Sequence, residues 1–142
     1  MGKYKRENRI SRELAQEQLD LLNEYYDVDP EYMTEMVGNA VKQQSLGILK
    51  SIVRGRLSID ATEEGLLITQ YLEKPVGDIS EVVYGEMGSI AMKAVDRAKT
   101  NVDKIYALVG ALTKQPPKLF SDQMSHVDRS TAEDIGNYFL LL

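Results

Sequence analysis

The only histidine of the chain, His126, stands in the segment Ser125-His126-Val127-Asp128. Ser, His and Asp are the side chains of a hydrolytic triad, in which the histidine activates the serine and the carboxylate orients the histidine. A triad brings together side chains from separate parts of a fold, and three near neighbours on one loop do not readily converge in that way. The sequence therefore favours a solvated loop histidine over a catalytic one.

Carboxylates offer a second route to chemistry, through metal binding or acid–base catalysis. Asp27, Asp29 and Glu31 lie close together, but they lack the glycine and the distal glutamate of a calcium-binding loop. Asp29 is better placed to cap a helix that begins at Pro30. The chain contains no cysteine, which excludes disulfides, thiolate nucleophiles and cysteine-ligated metals. The sequence therefore predicts no metal-binding residue.

Phosphate and cofactor binding find no better support. The segment 85–88, Gly-Glu-Met-Gly, has two glycines but lacks the following Lys-Ser/Thr of a phosphate-binding loop. No nucleophile, base and orienting group are recognisable as a set. We therefore expect no catalytic and no cofactor-binding residues, and a protein that is not an enzyme.

Length and charge limit the remaining functional classes. The chain has 142 residues, enough for one domain, with 43% hydrophobic and 27% charged residues. Residues 1–12 contain five basic residues and one acidic residue, whereas the other 130 contain 12 basic and 21 acidic residues. We interpret 1–12 as a basic flexible arm and 13–142 as a single domain. Because the domain is acidic, we expect nucleic-acid contact only through residues 3–12, if at all.

The N-terminus lacks the apolar run of a signal peptide, and no stretch approaches the length of a membrane span. We therefore expect a cytoplasmic protein with no membrane partner.

Apolar spacing and capping residues predict the helices. They are expected at 12–26, 30–54, 79–87, 89–113 and 131–142. Strand-forming residues alternate over 56–60 and recur over 66–72, with a turn at 61–65 between them. This pattern predicts a β-hairpin over 56–73. The expected fold class is α+β, mainly α, with helices packed around one β-hairpin.

Two helices are expected to build much of the core. In the helix 89–113, Val102 and Ile105 belong to an apolar stripe, whereas Lys104 faces solvent. The C-terminal helix begins with the capping sequence Ser130-Thr-Ala-Glu133. We expect it to dock on the rest of the domain through its apolar positions, Ile135, Tyr138, Phe139 and Leu142.

Some apolar side chains are candidates for a partner-binding surface. Tyrosines and methionines at the ends of the first two helices would form a soft, adaptable surface, although core packing is the simpler interpretation. The hairpin adds further candidates, because two isolated strands leave edges to cover. The candidate residues are Tyr25, Tyr26, Met33, Met36, Leu66, Ile68 and Tyr71.

The region 50–142 resembles the tail assembly chaperones of long-tailed bacteriophages. The residues that carry the resemblance are 55–60 (Gly-Arg-Leu-Ser-Ile-Asp), 66–72, the Lys-Pro-Val-Gly-Asp turn at 74–78, the helical pattern over 102–113, the pair Val127-Asp128 and the apolar end 135–142. The resemblance implies a cytoplasmic morphogenesis protein of the infected host cell. It also implies binding to the tape-measure protein, a long helical chain, and no catalytic residues.

The expected function is therefore non-enzymatic binding of an apolar helical partner or of a second copy. The partner's helix would lie in a groove between the helices 30–54 and 89–113. One alternative is a structural adaptor that stays in the assembled particle and adds its hairpin to a neighbouring sheet. Another is a small regulator that contacts nucleic acid through its basic arm.

Overall fold

The computed structural model describes residues 9–86 and 88–142, so most of the basic arm lies outside the described residues. The first helix, α1 (Arg12–Tyr25), begins where Ser11 Oγ accepts a hydrogen bond from the N–H of Leu14 at 3.2 Å. Just before it, the Ile10 N–H donates to the carbonyl of Val53 at 3.4 Å. The chain is thus tied to the body of the domain at Ile10.

The expected helix 30–54 is divided into two parts. A 3-10 turn, Pro30–Tyr32, starts at Asp29, whose Oδ1 accepts from the Glu31 N–H at 3.0 Å. The helix α2 (Glu35–Val53) starts separately, because Met33 is extended and Thr34 caps the N–H of Val37 at 3.4 Å. The capping role of Asp29 is confirmed, but the single helix from residue 30 is wrong.

Three antiparallel strands follow: β1 (Leu57–Thr62), β2 (Gly65–Val76) and β3 (Ile79–Tyr84), in the order β1-β2-β3. The predicted hairpin 56–73 is confirmed, but the helix predicted at 79–87 is wrong. Gly77 adopts a φ of 58°, which allows a tight turn between β2 and β3. β3 then alternates buried Val82 and Tyr84 with exposed Glu81 and Val83.

The helix predicted over 89–113 is interrupted near its middle. α3 (Ser89–Arg97) ends at Ala98, which is extended, and α4 (Asn101–Thr113) starts where Thr100 Oγ1 accepts from the Asp103 N–H at 3.1 Å. Val102 therefore lies in the first turn of α4 with 57% of its surface exposed, so its assignment to the core is wrong. Ile105 is only half-buried, and the buried face of α4 begins at Leu108.

The C-terminal helix α5 (His126–Leu140) starts earlier than the expected 131, because Ser125 and not Ser130 is its cap. Its docking is confirmed, since Ile135, Tyr138 and Phe139 are all nearly inaccessible to solvent. Leu142, expected on the same face, is 47% exposed. A short π-helical segment, Leu119–Gln123, links α4 to α5.

The helix α5 is the centre of the domain. It packs between α2 and α4 and also against β2, while α1 packs on α2 and β1. The inner face of the sheet completes the core with Leu57, Ile59, Ile68, Leu72, Val82 and Tyr84. The fold class, α+β and mainly α, is confirmed. Within the described part of the chain, no helix has the length and apolarity to cross a membrane.

Candidate functional site

The Ser125–Asp128 segment forms a structural joint between α5 and β2. Asp128 is fully buried, and its carboxylate accepts hydrogen bonds from the backbone N–H groups of Glu73 at 2.8 Å and Lys74 at 3.0 Å. Ser125 Oγ donates to the same carboxylate at 3.0 Å and accepts from the Asp128 N–H at 3.3 Å. The serine and the aspartate are thus in contact, but their contact caps the N-terminus of α5. The same aspartate binds the backbone of β2.

A chain of buried polar groups extends this joint into the sheet. The Tyr84 hydroxyl donates to Gln70 Oε1 at 2.6 Å, and Gln70 Nε2 donates to the Asp128 carbonyl at 2.9 Å. Burial, and secondarily the charge of Asp128, raises the pKa of Tyr84 well above its ordinary value. His126 is exposed at the first position of α5. Tyr84, Gln70 and Asp128 satisfy one another's hydrogen bonds inside the fold, so they form a structural network.

The tyrosines proposed as partner contacts are engaged within the chain. The Tyr26 ring packs edge to face on Phe139 with ring centroids 5.2 Å apart, and also on Tyr25 at 5.0 Å. Tyr25 is 43% exposed, and its hydroxyl donates to Glu86, which raises the pKa of Tyr25. Both rings therefore help to seal the end of α1 against its neighbours.

The two methionines lie in different surroundings. Met33 packs partly buried against the core, whereas Met36 is 82% exposed in the first turn of α2. Met36 alone of the pair presents most of its side chain to solvent.

The hairpin candidates do not form one surface. Ile68 is 3% exposed, on the inner face of the sheet, and cannot contact a partner in this fold. Leu66 shares that face at the end of β2 and packs partly buried against the core. Tyr71 points to the opposite face, where its hydroxyl lies 3.1 Å from Ser58 Oγ.

The groove expected between residues 30–54 and 89–113 is filled by the protein itself. The helix α5 occupies this position, because it packs against both α2 and α4. An external helix could enter there only by displacing α5.

An open groove lies instead along the outer side of α1 and α2. It consists of two adjoining depressions of about 460 Å³ and 380 Å³ that share Arg12, Leu46 and Leu49. We call it the α1–α2 groove, and its lining residues are Arg12, Gln16, Leu19, Asn23, Pro30, Lys42, Ser45, Leu46, Gly47, Leu49, Lys50, Val53 and Arg54. Its two walls come from consecutive helices that pack side by side.

An apolar strip runs along the α2 side of this groove. Leu46 is 59% exposed, whereas Leu49 and Leu19 beside it are buried and Val53 is half-buried. Helical spacing places Leu46, Leu49 and Val53 on one face of α2. An exposed leucine above a buried apolar floor is a site that another apolar side chain could cover.

The charges around the α1–α2 groove have one sign. Arg12, Lys42, Lys50 and Arg54 line it, and none of its described lining residues is acidic. Two carboxylates contact lining residues: Asp20 Oδ1 accepts a hydrogen bond from Gln16 Nε2 at 3.0 Å, and the carboxylate of Asp134 on α5 packs closely on Gly47. Burial, with a smaller contribution from Glu133, raises the pKa of Asp134 to about 6, while Lys50 acts in the opposite direction.

Sequence inspection did not identify this groove. Lys42, Leu46, Lys50 and Arg54 recur every four residues, a spacing that puts them near one another on a helix surface. That pattern was a readable signal, but a solvated charged face gives the same pattern. Only the position of α1 beside α2 turns the face into a groove.

No group of three or more His, Cys, Asp or Glu side chains suited to a metal ion occurs among the described residues. Comparison of the chain with known protein families, with curated proteins and with solved structures found no match.

Proposed function

We propose that the protein is a non-enzymatic binding protein that holds an apolar helical segment of a partner in the α1–α2 groove. The role that fits this activity is the one its sequence resemblance implies, a tail assembly chaperone of a long-tailed bacteriophage, acting in the host cytoplasm. The partner would then be a long helical chain such as a tape-measure protein.

The observation that carries the proposal is the exposed Leu46 on an apolar floor between two helices. Amphipathic helices bind in such grooves by inserting apolar side chains at helical spacing. Removing a leucine side chain and its apolar neighbours from water is worth some 25 cal/mol per Å². An isolated exposed leucine would not require a partner, but one in a basic and apolar groove is suited to anchor an apolar helix.

The edges of the sheet support the adaptor alternative less well. On the β1 side, Gln18 Oε1 accepts from the backbone N–H of Ile59 at 2.7 Å, so a side chain of α1 already covers that edge. A neighbouring strand would have to displace α1 to pair with β1 there. Strand addition would therefore have to use β3.

The test is co-expression with the proteins encoded by the neighbouring genes, followed by affinity purification and size-exclusion chromatography with light scattering. The parent chain should elute as a complex, and Leu46→Asp should lose the complex because a carboxylate on the apolar floor is costly to desolvate. Met92→Asp is the matched control, since Met92 is also an apolar helical residue and is 46% exposed.

Circular dichroism would show that both variants keep the helical fold. A parent chain that forms no complex, or a Leu46→Asp variant that binds as well as Met92→Asp, would refute the proposed site.

A further inference from the structure

We infer that the helix held by the α1–α2 groove is acidic, with Asp or Glu side chains on both sides of its apolar stripe. This inference rests on the proposed function and adds the chemistry by which the partner is recognised. It follows from the charges of the groove, the length of its basic stripe and the nature of its floor.

The charge of the groove is opposite in sign to the net charge of the whole molecule. The full chain carries a net charge of -5, yet the groove is lined by four basic side chains and by no acidic residue of the described chain. Within the described residues, the salt bridge found is Arg56–Glu73, remote in sequence from α1 and not among the groove residues. Arg12, Lys42 and Arg54 form no salt bridge with the described acidic side chains. Their charge is therefore available to a partner.

Lys50 is the partial exception, because Asp134 lies close enough to interact with it. Asp134 packs on Gly47 from the α5 side of α2. It offsets some of the charge of Lys50.

The basic residues of the groove form a stripe about as long as a short helix. Lys42 and Lys50 lie along α2 and Arg54 is its C-cap, so the distance from residue 42 to residue 54 corresponds to about 18 Å of helix. The apolar strip of Leu46, Leu49 and Val53 lies within that length. A partner helix of roughly three to four turns would match it, with apolar anchors in the middle and carboxylates at the flanks.

The lining of the groove suits a protein helix better than a nucleic acid. Single-stranded nucleic acids bind on aromatic side chains that stack with the bases, and no aromatic residue lines the described groove. The centre of the groove is aliphatic, which suits leucine or isoleucine side chains better than phosphates.

The experiment uses designed helical peptides as probes. One peptide carries leucines at helical spacing flanked by glutamates, and the second replaces each glutamate with glutamine. Fluorescence anisotropy with the full chain should give at least about tenfold tighter binding for the glutamate peptide, and its affinity should fall as salt is added. A single-stranded and a double-stranded DNA oligonucleotide serve as the nucleic-acid probes.

Charge reversal locates the binding. The double variant Lys50→Glu/Arg54→Glu should weaken binding of the glutamate peptide by about tenfold or more, because two attractions become repulsions. The matched control is Lys93→Glu/Arg97→Glu, which reverses two exposed cations with the same spacing on α3 and should leave the affinity unchanged.

The results distinguish failure of the acidic-partner inference from failure of the proposed helix-binding function. Equal binding of both peptides, lost in Leu46→Asp, would overturn the acidic partner and leave the proposed function standing. Binding of neither peptide would overturn both. DNA binding that is lost on Lys50→Glu/Arg54→Glu, without binding of the glutamate peptide, would assign the groove to nucleic acid and overturn the inference.

Discussion

At the scale of single residues, Asp128 shows how a side chain with catalytic potential becomes structural. The pairing of β2 with β3 shifts register between Tyr71 and Val76, so the backbone of Glu73 and Lys74 lies outside the regular pairing. Buried backbone N–H groups need acceptors. Asp128 supplies them from the first turn of α5, where a carboxylate is also favoured by the helix dipole.

Asp128→Asn should therefore destabilise the fold. The amide has one acceptor oxygen and presents an NH2 group toward backbone donors, so at least one of these partly buried hydrogen bonds is lost. The expected loss is about 3 kcal/mol in the free energy of unfolding, measured by urea denaturation. Asp96→Asn, at an exposed position on α3, is the control and should change the stability by less than about 0.5 kcal/mol. Equal stability of the two variants would contradict the structural role of Asp128.

The buried carboxyl of Asp134 should make the stability of the fold depend on pH. Burial raises the pKa of Asp134 from 3.8 to about 6, so the folded state binds a proton more tightly than the unfolded state. This contribution to stability is fully present below the unfolded pKa and is lost as the pH rises through the folded pKa. Asp134→Asn, which mimics the neutral acid, should match the parent near pH 4 and melt at a higher temperature than the parent at pH 7.

Thermal melts of both proteins at several pH values would measure this. All other titrating groups are common to the two chains, so the difference in melting temperature isolates residue 134. A difference that does not change between pH 4 and pH 7 would show that this carboxylate is not penalised by burial.

At the scale of secondary-structure elements, sequence patterns predicted the features that depend on interactions between residues close together in the chain. The cap at Asp29, the hairpin and the apolar face of the last helix depend on near neighbours, and their sequence patterns were sufficient. The segment that forms β3 carries a misleading helix signal, because Asp78 and Glu81 resemble a capping box. The strand depends on pairing with β2, a tertiary interaction that the capping pattern does not report.

The break between α3 and α4 had a readable signal that the apolar periodicity concealed. Thr100 followed by Asp103 is the pattern of a helix N-terminus, yet the apolar stripe continues across it. The site was less predictable than the fold. The two sides of the α1–α2 groove come from separate helices, and neither helix alone distinguishes a groove from an ordinary solvated face.

Because α4 begins at Asn101, its first turn should tolerate a charged substitution better than its buried middle. Val102→Asp should change stability little, because Val102 is exposed in the first turn of α4 and an acidic residue there is favoured by the helix dipole. Leu108→Asp, at a fully buried position of the same helix, should unfold the chain, since an unpaired buried charge costs several kcal/mol. Circular dichroism with thermal denaturation compares the two, and loss of structure in Val102→Asp would contradict this assignment of faces.

At the scale of the whole molecule, the elements share one core to different degrees. The helix α5 contacts α2, α4 and β2, so its apolar face links the helical and the sheet parts. The helix α3 packs mainly against α4, and among its side chains that the structure describes the buried ones are Ala91 and Val95. The α1–α2 groove lies on α1 and α2 and away from α3. Partner binding at the groove would therefore act on the part of the molecule that is tied most directly to α5.

This arrangement predicts a cooperative domain with one locally unstable helix. Because α5 connects the core, thermal unfolding should occur in a single transition by both circular dichroism and tyrosine fluorescence. Native-state hydrogen exchange should nevertheless show faster exchange over 92–97 in α3 than over 131–139 in α5, since α3 can separate from α4 without exposing the main core. Mass spectrometry of peptides from the two helices measures the difference. Protection of α3 equal to that of α5 would mean that α3 unfolds only with the whole domain.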